Sequence, residues 1–190
     1  FMVAFALGLL IPIVIIFMRE NMNTRVRGRK DLENLTIPFI GEIPLFTRKK
    51  KGILGKKPQE VKAVIVKEGN RDIINEAFRV LRTNLEFMTG KDKTSNVIIM
   101  TSFNPGSGKS FLTMNIAVSL AIKGKKVLVI DGDLRHASAS SYIDSPDKGL
   151  SDYLGGRIDN LDEIIVPDPK HKSMDILPVG TIPPNPTELL

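Results

Sequence analysis

A glycine-containing loop between a strand pattern and a helix pattern constrains this chain more than any other feature. Residues 96–101 (NVIIMT) are apolar and β-branched, which is typical of a buried parallel strand. The loop SFNPGSGKS follows, then a helical segment FLTMNIAVSLAIKG, then a second strand pattern at 125–130 (KKVLVI). This order predicts a strand–helix–strand unit, and therefore an α/β fold with a doubly wound parallel sheet.

The loop has the composition of a phosphate-binding loop. Gly106 and Gly108 allow backbone N–H groups to turn toward phosphate oxygens, and the following helix adds the positive end of its dipole. Lys109 can reach the β- and γ-phosphates of a nucleotide, and the Ser110 hydroxyl can bind Mg²⁺. Phe103 replaces the first glycine of the usual G-x-x-x-x-G-K-[ST] pattern, so the match is to a relaxed form. The sequence predicts a P-loop NTPase-like fold.

Two acidic residues, Asp131 and Asp133, follow the second strand in the segment DGDLR. Ligands of doubly wound sheets lie at the carboxyl ends of the strands, so these carboxylates are expected to face the loop. One can hold Mg²⁺ and the other can accept or position a hydroxyl proton, and the sequence leaves these roles unassigned. Arg135 can contact a phosphate or pair with an acid, whereas the alternative for the segment is a helix N-cap with an ordinary ion pair.

The predicted site has three overlapping groups of residues. The catalytic residues are Lys109, Asp131 and Asp133, and the metal ligands are Ser110 and Asp131. The nucleotide contacts are Asn104, Pro105, Gly106, Ser107, Gly108, Lys109, Ser110, Phe111 and Arg135.

Residues 71–88 show the strongest helical pattern, with one apolar stripe formed by Ile74, Phe78, Leu81, Leu85 and Met88. Off that stripe lies a charged triplet in the spacing E-x2-R-x2-R, in which three-residue steps allow pairing along the helix. Its members are Glu76, Arg79 and Arg82. By spacing alone the triplet is either a solvated face or a binding surface.

The N-terminal segment 1–18 contains no charged residue and is long enough to cross a bilayer as a helix. Five basic residues and one acidic residue lie in 19–30, which predicts a transmembrane helix with its C-terminal side in the cytoplasm. Residues 19–70 are interpreted as a basic juxtamembrane linker. Its run 48–57 (RKKKGILGKK) either contacts anionic lipid or is a solvated loop.

Composition excludes several functions. The chain has no cysteine, which rules out disulfides, thiolate metal sites and cysteine nucleophiles, and it has only two histidines. Residues 19–30 and 48–57 together carry a larger positive charge than the whole chain, whose formal net charge is +6. The basic excess therefore lies in these two stretches and does not spread over a domain surface. That distribution argues against nucleic acid as a partner.

Together these motifs resemble the bacterial tyrosine kinases, the membrane-anchored autokinases of capsular and exopolysaccharide synthesis. The charged triplet is similar to the oligomerisation motif of that family, SFNPGSGKS to its Walker A motif, and VLVIDGDLR to its Walker A′ motif. The segment Gly149–Leu154 (GLSDYL) is also similar to the family. The N-terminal span would be the family's second transmembrane helix, and 71–190 would be its P-loop tyrosine kinase domain.

The resemblance implies a function and its partners. ATP·Mg²⁺ would bind at the loop, and the γ-phosphoryl group would pass to a tyrosine, often on a neighbouring subunit of a ring-like homo-oligomer. Lys109 would steady the transferring phosphate. The protein would lie in the inner membrane with its C-terminal domain in the cytoplasm. It would regulate polysaccharide synthesis, chain length and export, with the export machinery and a tyrosine phosphatase as further partners.

Two parts of the family pattern, the Walker B strand and the tyrosine-rich tail, are expected beyond residue 190. The domain is therefore expected to be incomplete, and this piece alone to be inactive and poorly stable. Two alternatives remain: a membrane-attached P-loop ATPase, and a polysaccharide co-polymerase without kinase activity. Partition ATPases, which belong to the same class of P-loop proteins, carry a signature lysine where this chain has Asn104, so the sequence argues against that assignment. A eukaryotic-type kinase and a dehydrogenase are excluded, because no G-x-G-x-x-G loop is present.

Overall fold

The computed structural model describes residues 2–22, 28–32, 35–45, 64–90 and 96–189. It divides into two units, Phe1–Phe39 and Ile40–Leu190. The basic run 48–57 of the predicted linker lies outside the described residues.

The first unit contains one long helix, α1, at Met2–Asn21, and a short 3-10 helix at Arg29–Leu32. Helix α1 includes Pro12 and continues past the uncharged segment through Arg19. Residues 2–18 of the predicted span are therefore helical. Among the described residues, however, no helix has the length and apolar character needed to cross a membrane, so the predicted transmembrane span is not found.

The second unit is built around a mixed three-stranded sheet. Its strands are β1 at Val127–Ile130, β2 at Val166–Pro167 and β3 at Met174–Leu177, in the order β1-β3-β2. Strands β1 and β3 are parallel, and β2 is antiparallel to β3. The parallel pair agrees with the predicted sheet, and the antiparallel edge strand corrects it.

The strand predicted at 96–101 is wrong for the described structure. Residues 96–100 form no strand, and Val97 and Ile99 are 91% and 85% exposed. A strand needs the N–H and C=O groups of a neighbouring strand, and no described residue supplies them here. Apolar composition alone therefore did not determine sheet pairing.

Helix α2, at Ile73–Thr89, begins where Asp72 caps it: the Asp72 carboxylate accepts a hydrogen bond from Asn75 N at 2.7 Å. It ends at Gly90, whose φ of 76° favours glycine. Phe78 is fully buried, and the predicted stripe packs against the core except for Met88, which is 55% exposed. The last turn of α2 thus extends beyond the core.

Helix α3, at Lys109–Ile122, packs against α2. It begins two residues before the predicted segment, directly after Gly108, whose left-handed backbone (φ 89°) ends the loop. The rings of Phe78 and Phe111 meet edge to face, with centroids 6.1 Å apart. This aromatic contact holds the two helices together.

Two buried asparagines hold the extended segment 64–67 against these helices. Asn115 Oδ1 accepts hydrogen bonds from Ile65 N at 2.8 Å and Val66 N at 3.1 Å, and Asn75 Oδ1 accepts one from Lys67 N at 2.9 Å. Residues 64–67 form no strand, and residues 61–63 lie outside the described part of the chain.

The C-terminal part consists of short elements. Helix α4, at Leu150–Leu154, follows Gly149, where a Cβ would overlap the backbone near Gly180. A 3-10 helix at Leu161–Glu163 precedes strand β2. Another 3-10 helix, at Pro186–Glu188, has Asn185 as its N-cap.

Candidate functional site

The predicted phosphate-binding loop lies at the start of α3. Gly106 and Gly108 have φ values of 74° and 89°, a region that side-chain-bearing residues rarely adopt. The hydroxyl of Ser107 donates to Asn104 O at 2.5 Å, which closes a turn over these residues. The first N–H groups of α3 have no partner within the helix, so the loop and the helix together present donors to an anion.

Lys109 and Asp133 face each other at this loop. The distance from Lys109 Nζ to Asp133 Oδ2 is 3.7 Å, and the side chains are 34% and 22% exposed. The start of α3 and the segment after β1 therefore converge, although the strand predicted before the loop does not form among the described residues.

Asp131 lies at the same edge but is enclosed, with only 4% of its surface exposed. Its Oδ2 accepts hydrogen bonds from Ser140 N and Ser140 Oγ, both at 2.7 Å. Its Oδ1 accepts one from Asp133 N at 3.2 Å. The two acids that the sequence left equivalent thus differ: Asp131 is held from three sides, and Asp133 is open toward Lys109.

The pKa of Asp133 reflects opposing influences. Partial burial raises this pKa, whereas the backbone N–H of His136, the ring of His136 and the charge of Lys109 lower it. The His136 backbone N lies 3.2 Å and its ring Nδ1 3.3 Å from Asp133 Oδ1. The net result is a pKa below the ordinary value, so Asp133 is an anion at neutral pH.

The remaining predicted nucleotide contacts divide into two groups. The loop residues from Asn104 to Ser107 are exposed and form the rim of the site. Arg135 is also exposed and makes no ion pair with a described residue. The ring of Phe111 packs on Phe78 between α2 and α3. A nucleotide contact from Phe111 would therefore come from its backbone N–H, which lies in the first turn of α3.

The charged triplet of α2 does not act as one group. Glu76 Oε1 and Arg79 Nη1 form an ion pair at 2.8 Å, and Arg79 also donates to Asn70 O. Arg82 instead donates to Ser119 O at 2.8 Å, near the C-terminus of α3. Glu76 and Arg79 thus form a half-exposed surface pair, whereas Arg82 links α2 to α3, the helix that follows the glycine loop.

Sequence reasoning missed two residues of this site. Ser140 gave no signal, because it is one of several serines between residues 138 and 145, at the start of a 3-10 helix nine residues beyond Asp131. His136 was not among the predicted site residues. Its spacing of three from Asp133 within a turn was the available signal for the contact.

The oxygen atoms at this site are compatible with Mg²⁺ that is bound to a nucleotide. Within the described ranges no group of three or more His, Cys, Asp or Glu residues could hold a metal ion alone. Nucleotide-bound Mg²⁺ needs only one or two protein oxygens, because phosphates and water supply the other ligands. Asp131 Oδ1, which accepts a single hydrogen bond from the described part of the chain, and the Ser110 hydroxyl are oxygen donors of this kind.

Comparisons with known proteins agree with this geometry. The CobQ/CobB/MinD/ParA nucleotide binding domain matches residues 98–168, which include the loop and both acids. The tyrosine-protein kinase etk of Escherichia coli K12 is 32% identical over 197 residues, or 98% of this chain and 27% of the relative. The tyrosine-protein kinase wzc of Salmonella typhimurium is 33% identical over 194 residues, or 97% and 26%. The chain belongs to the bacterial tyrosine kinase family.

A solved structure of the family supports the fold. The kinase domain of the Escherichia coli tyrosine kinase ETK aligns with a TM-score of 0.68 at 31% identity, covering 87% of this chain and 64% of that one. The shared fold is a P-loop nucleotide-binding fold with a mixed sheet. The chain spans about a quarter of the length of the two kinase relatives.

Proposed function

We propose that this protein is an ATP-dependent protein-tyrosine autokinase that regulates capsular or exopolysaccharide synthesis, chain length and export. The observation that carries the proposal is the 3.7 Å approach of Lys109 to Asp133 beside the glycine loop. A cation and an open carboxylate at a phosphate-binding loop suit phosphoryl transfer to a hydroxyl group. The similarity to tyrosine-protein kinases selects tyrosine as the acceptor.

In this mechanism the residues have separate roles. The N–H groups of the loop bind the phosphates of ATP, and the Lys109 ammonium neutralises charge on the γ-phosphoryl group as it transfers. Asp133 orients the tyrosine hydroxyl and accepts a hydrogen bond from it. Asp131 and Ser110 would hold Mg²⁺, which neutralises phosphate charge when bound. These contacts favour Asp133 over Asp131 as the residue that orients the acceptor tyrosine.

One assay tests this function. The whole protein in detergent receives ATP and Mg²⁺, and phosphotyrosine and free phosphate are measured together over time. Phosphotyrosine that accumulates with ADP is the expected result. Phosphate release without phosphotyrosine would instead establish a P-loop ATPase, and no turnover of either kind would favour a co-polymerase without kinase activity.

Self-association through α2 is part of the proposal, and the structure separates the members of the charged triplet. Glu76 and Arg79 are 46% and 41% exposed and can exchange their ion pair for one with a second copy. We expect Arg79→Ala to weaken self-association in analytical ultracentrifugation with little loss of monomer stability.

We expect Arg82→Ala to lower the free energy of unfolding by about 1.5–3 kcal/mol, because its charged hydrogen bond to Ser119 O is lost.

The control for these variants is Arg71→Ala, which removes the same charge from an exposed residue just before α2. It should change neither the association constant nor the urea midpoint. Association of Arg79→Ala equal to that of the unaltered protein would remove the exposed pair from the interface.

Attachment to the inner membrane, with the second unit in the cytoplasm, completes the proposal. It is supported by the uncharged segment 1–18 and by exposed apolar side chains on α1, including Ile13 and Ile16. We expect the protein to sediment with membranes and to be released by detergent but not by carbonate. A double charge substitution, Ile13→Lys with Ile16→Lys, should shift it to the supernatant. Sedimentation of the double variant with membranes would contradict attachment through α1.

A further inference from the structure

We propose that Ser140 is a positioning residue that fixes the Asp131 carboxylate so that a single oxygen remains available to Mg²⁺. The inference rests on the proposed function, because it concerns the metal that accompanies the nucleotide. Its basis is a buried hydrogen-bond network that joins the ends of β1 and β3.

The network begins with both donors of Ser140. The backbone N–H and the side-chain hydroxyl of Ser140 donate to the same atom, Asp131 Oδ2, each at 2.7 Å. A carboxylate oxygen has two lone-pair positions, so these two bonds occupy both. Among the described residues Oδ1 accepts only from Asp133 N, at 3.2 Å, and keeps one position for a further partner. The carboxylate is thereby held in one orientation, and its remaining lone-pair position is on Oδ1.

Ser140 is itself fixed by the other parallel strand. Its hydroxyl oxygen accepts a hydrogen bond from Val179 N at 2.9 Å, two residues beyond the end of β3. Asp131 N donates to Leu177 O at 3.0 Å, which continues the β1–β3 pairing past the end of β1. Ser140 and Val179 are 1% and 0% exposed, so water cannot replace these bonds.

This arrangement explains why a buried carboxylate can serve as a metal ligand. Burial of a carboxylate is costly unless hydrogen bonds compensate for the lost water, and Asp131 receives three. Groups that orient a ligand typically change metal affinity or activity about 10–100-fold when they are removed. Loss of the Ser140 hydroxyl would leave Asp131 Oδ2 with one donor and Val179 N without an acceptor.

The test measures metal affinity directly, using Mn²⁺ with ADP as the probe. Free Mn²⁺ is titrated by electron paramagnetic resonance in the presence of the whole protein and excess ADP. We expect Ser140→Ala to weaken the protein-dependent component of Mn²⁺ binding about tenfold. Ser140→Thr, which keeps the hydroxyl, should restore it. Ser140→Cys keeps the volume with a weaker donor, and it provides an intermediate case if the alanine variant fails to fold.

The matched control is Ser151→Ala. Ser151 is equally buried, and its hydroxyl donates to Thr181 O at 2.5 Å, in the same segment after β3, without touching Asp131. It should lower stability while leaving Mn²⁺ affinity unchanged. In a double-mutant cycle, Ser140→Ala should add no further loss of Mn²⁺ affinity once Asp131 is replaced by asparagine.

The outcomes separate the two proposals. Equal Mn²⁺ affinity of Ser140→Ala and Ser151→Ala would overturn the role of Ser140 while leaving the kinase proposal intact. Independent, additive effects of Ser140→Ala and Asp131→Asn would overturn it as well. Absence of protein-dependent Mn²⁺ binding in the unaltered protein would instead contradict the proposed metal site, whatever the phosphotyrosine assay shows.

Discussion

Replacement of Lys109 by methionine is expected to lower the rate of phosphotyrosine formation on the order of 10²–10³-fold. Methionine keeps most of the length of the side chain but removes the ammonium group at the loop. The charge that develops on the transferring phosphoryl group then has no lysine to stabilise it. The measurement is the initial rate of phosphotyrosine formation by the whole protein at saturating ATP and Mg²⁺.

Stability should change little in the same variant. Lys109 is 34% exposed, and its only ion pair, with Asp133, spans 3.7 Å among the described residues. Partly exposed pairs of this kind contribute about 1 kcal/mol or less. A loss of activity in Lys109→Met can therefore be assigned to chemistry if the urea midpoint stays close to that of the unaltered protein.

The control for this substitution is Lys125→Met, which makes the same chemical change at an exposed position between α3 and β1. Its rate should equal that of the unaltered protein. If Lys109→Met kept a third or more of the original rate, Lys109 would have no part in transfer, and the proposed mechanism would lose its central residue.

Replacement of Phe78 by alanine is expected to produce the largest loss of stability, about 3–5 kcal/mol in the free energy of unfolding. The side chain is fully buried and lies edge-on to Phe111 at the contact between α2 and α3. Removing the ring leaves a cavity between the two helices and ends the aromatic contact. Urea denaturation followed by circular dichroism measures the change.

Phe87→Ala is a control on the same helix. Phe87 is 74% exposed, so the same truncation there creates no cavity, and the free energy of unfolding should change by about 0.5 kcal/mol or less. Similar losses in the two variants would show that α2 does not pack on α3 through Phe78. A large loss in Phe78→Ala alone would support the α2–α3 contact as a main source of stability in the second unit.

Local patterns predicted the helices and the loop of this protein well. Helix α2 follows from the spacing of its apolar stripe, a signal that lies within a few turns of the chain. Lys109 and Asp133 come together because Lys109 begins α3 and Asp133 follows β1, the strand that packs against α3. These features depend on residues that lie close together in the chain, so they can be predicted from the sequence alone.

Contacts between distant residues were not predictable in the same way. The sequence favoured a strand at 96–101, but pairing needs a neighbouring strand that local composition cannot identify. The spacing of the charged triplet suggested a single surface, whereas Arg82 contacts Ser119, 37 residues away. Phe111 adjoins the glycine loop in sequence, yet the side of α3 on which it lies places its ring against Phe78.

The sequence by itself predicted the type of chemistry: a glycine loop, a lysine and two nearby carboxylates in this order are typical of a phosphate-binding site. Tertiary structure alone decided how the two carboxylates differ. The distances from Asp133 to Lys109 and from Asp131 to Ser140 leave one acid open and enclose the other. The physical reason is that burial and hydrogen bonding depend on which residues the folded chain brings near. Residue types specify only which interactions are possible.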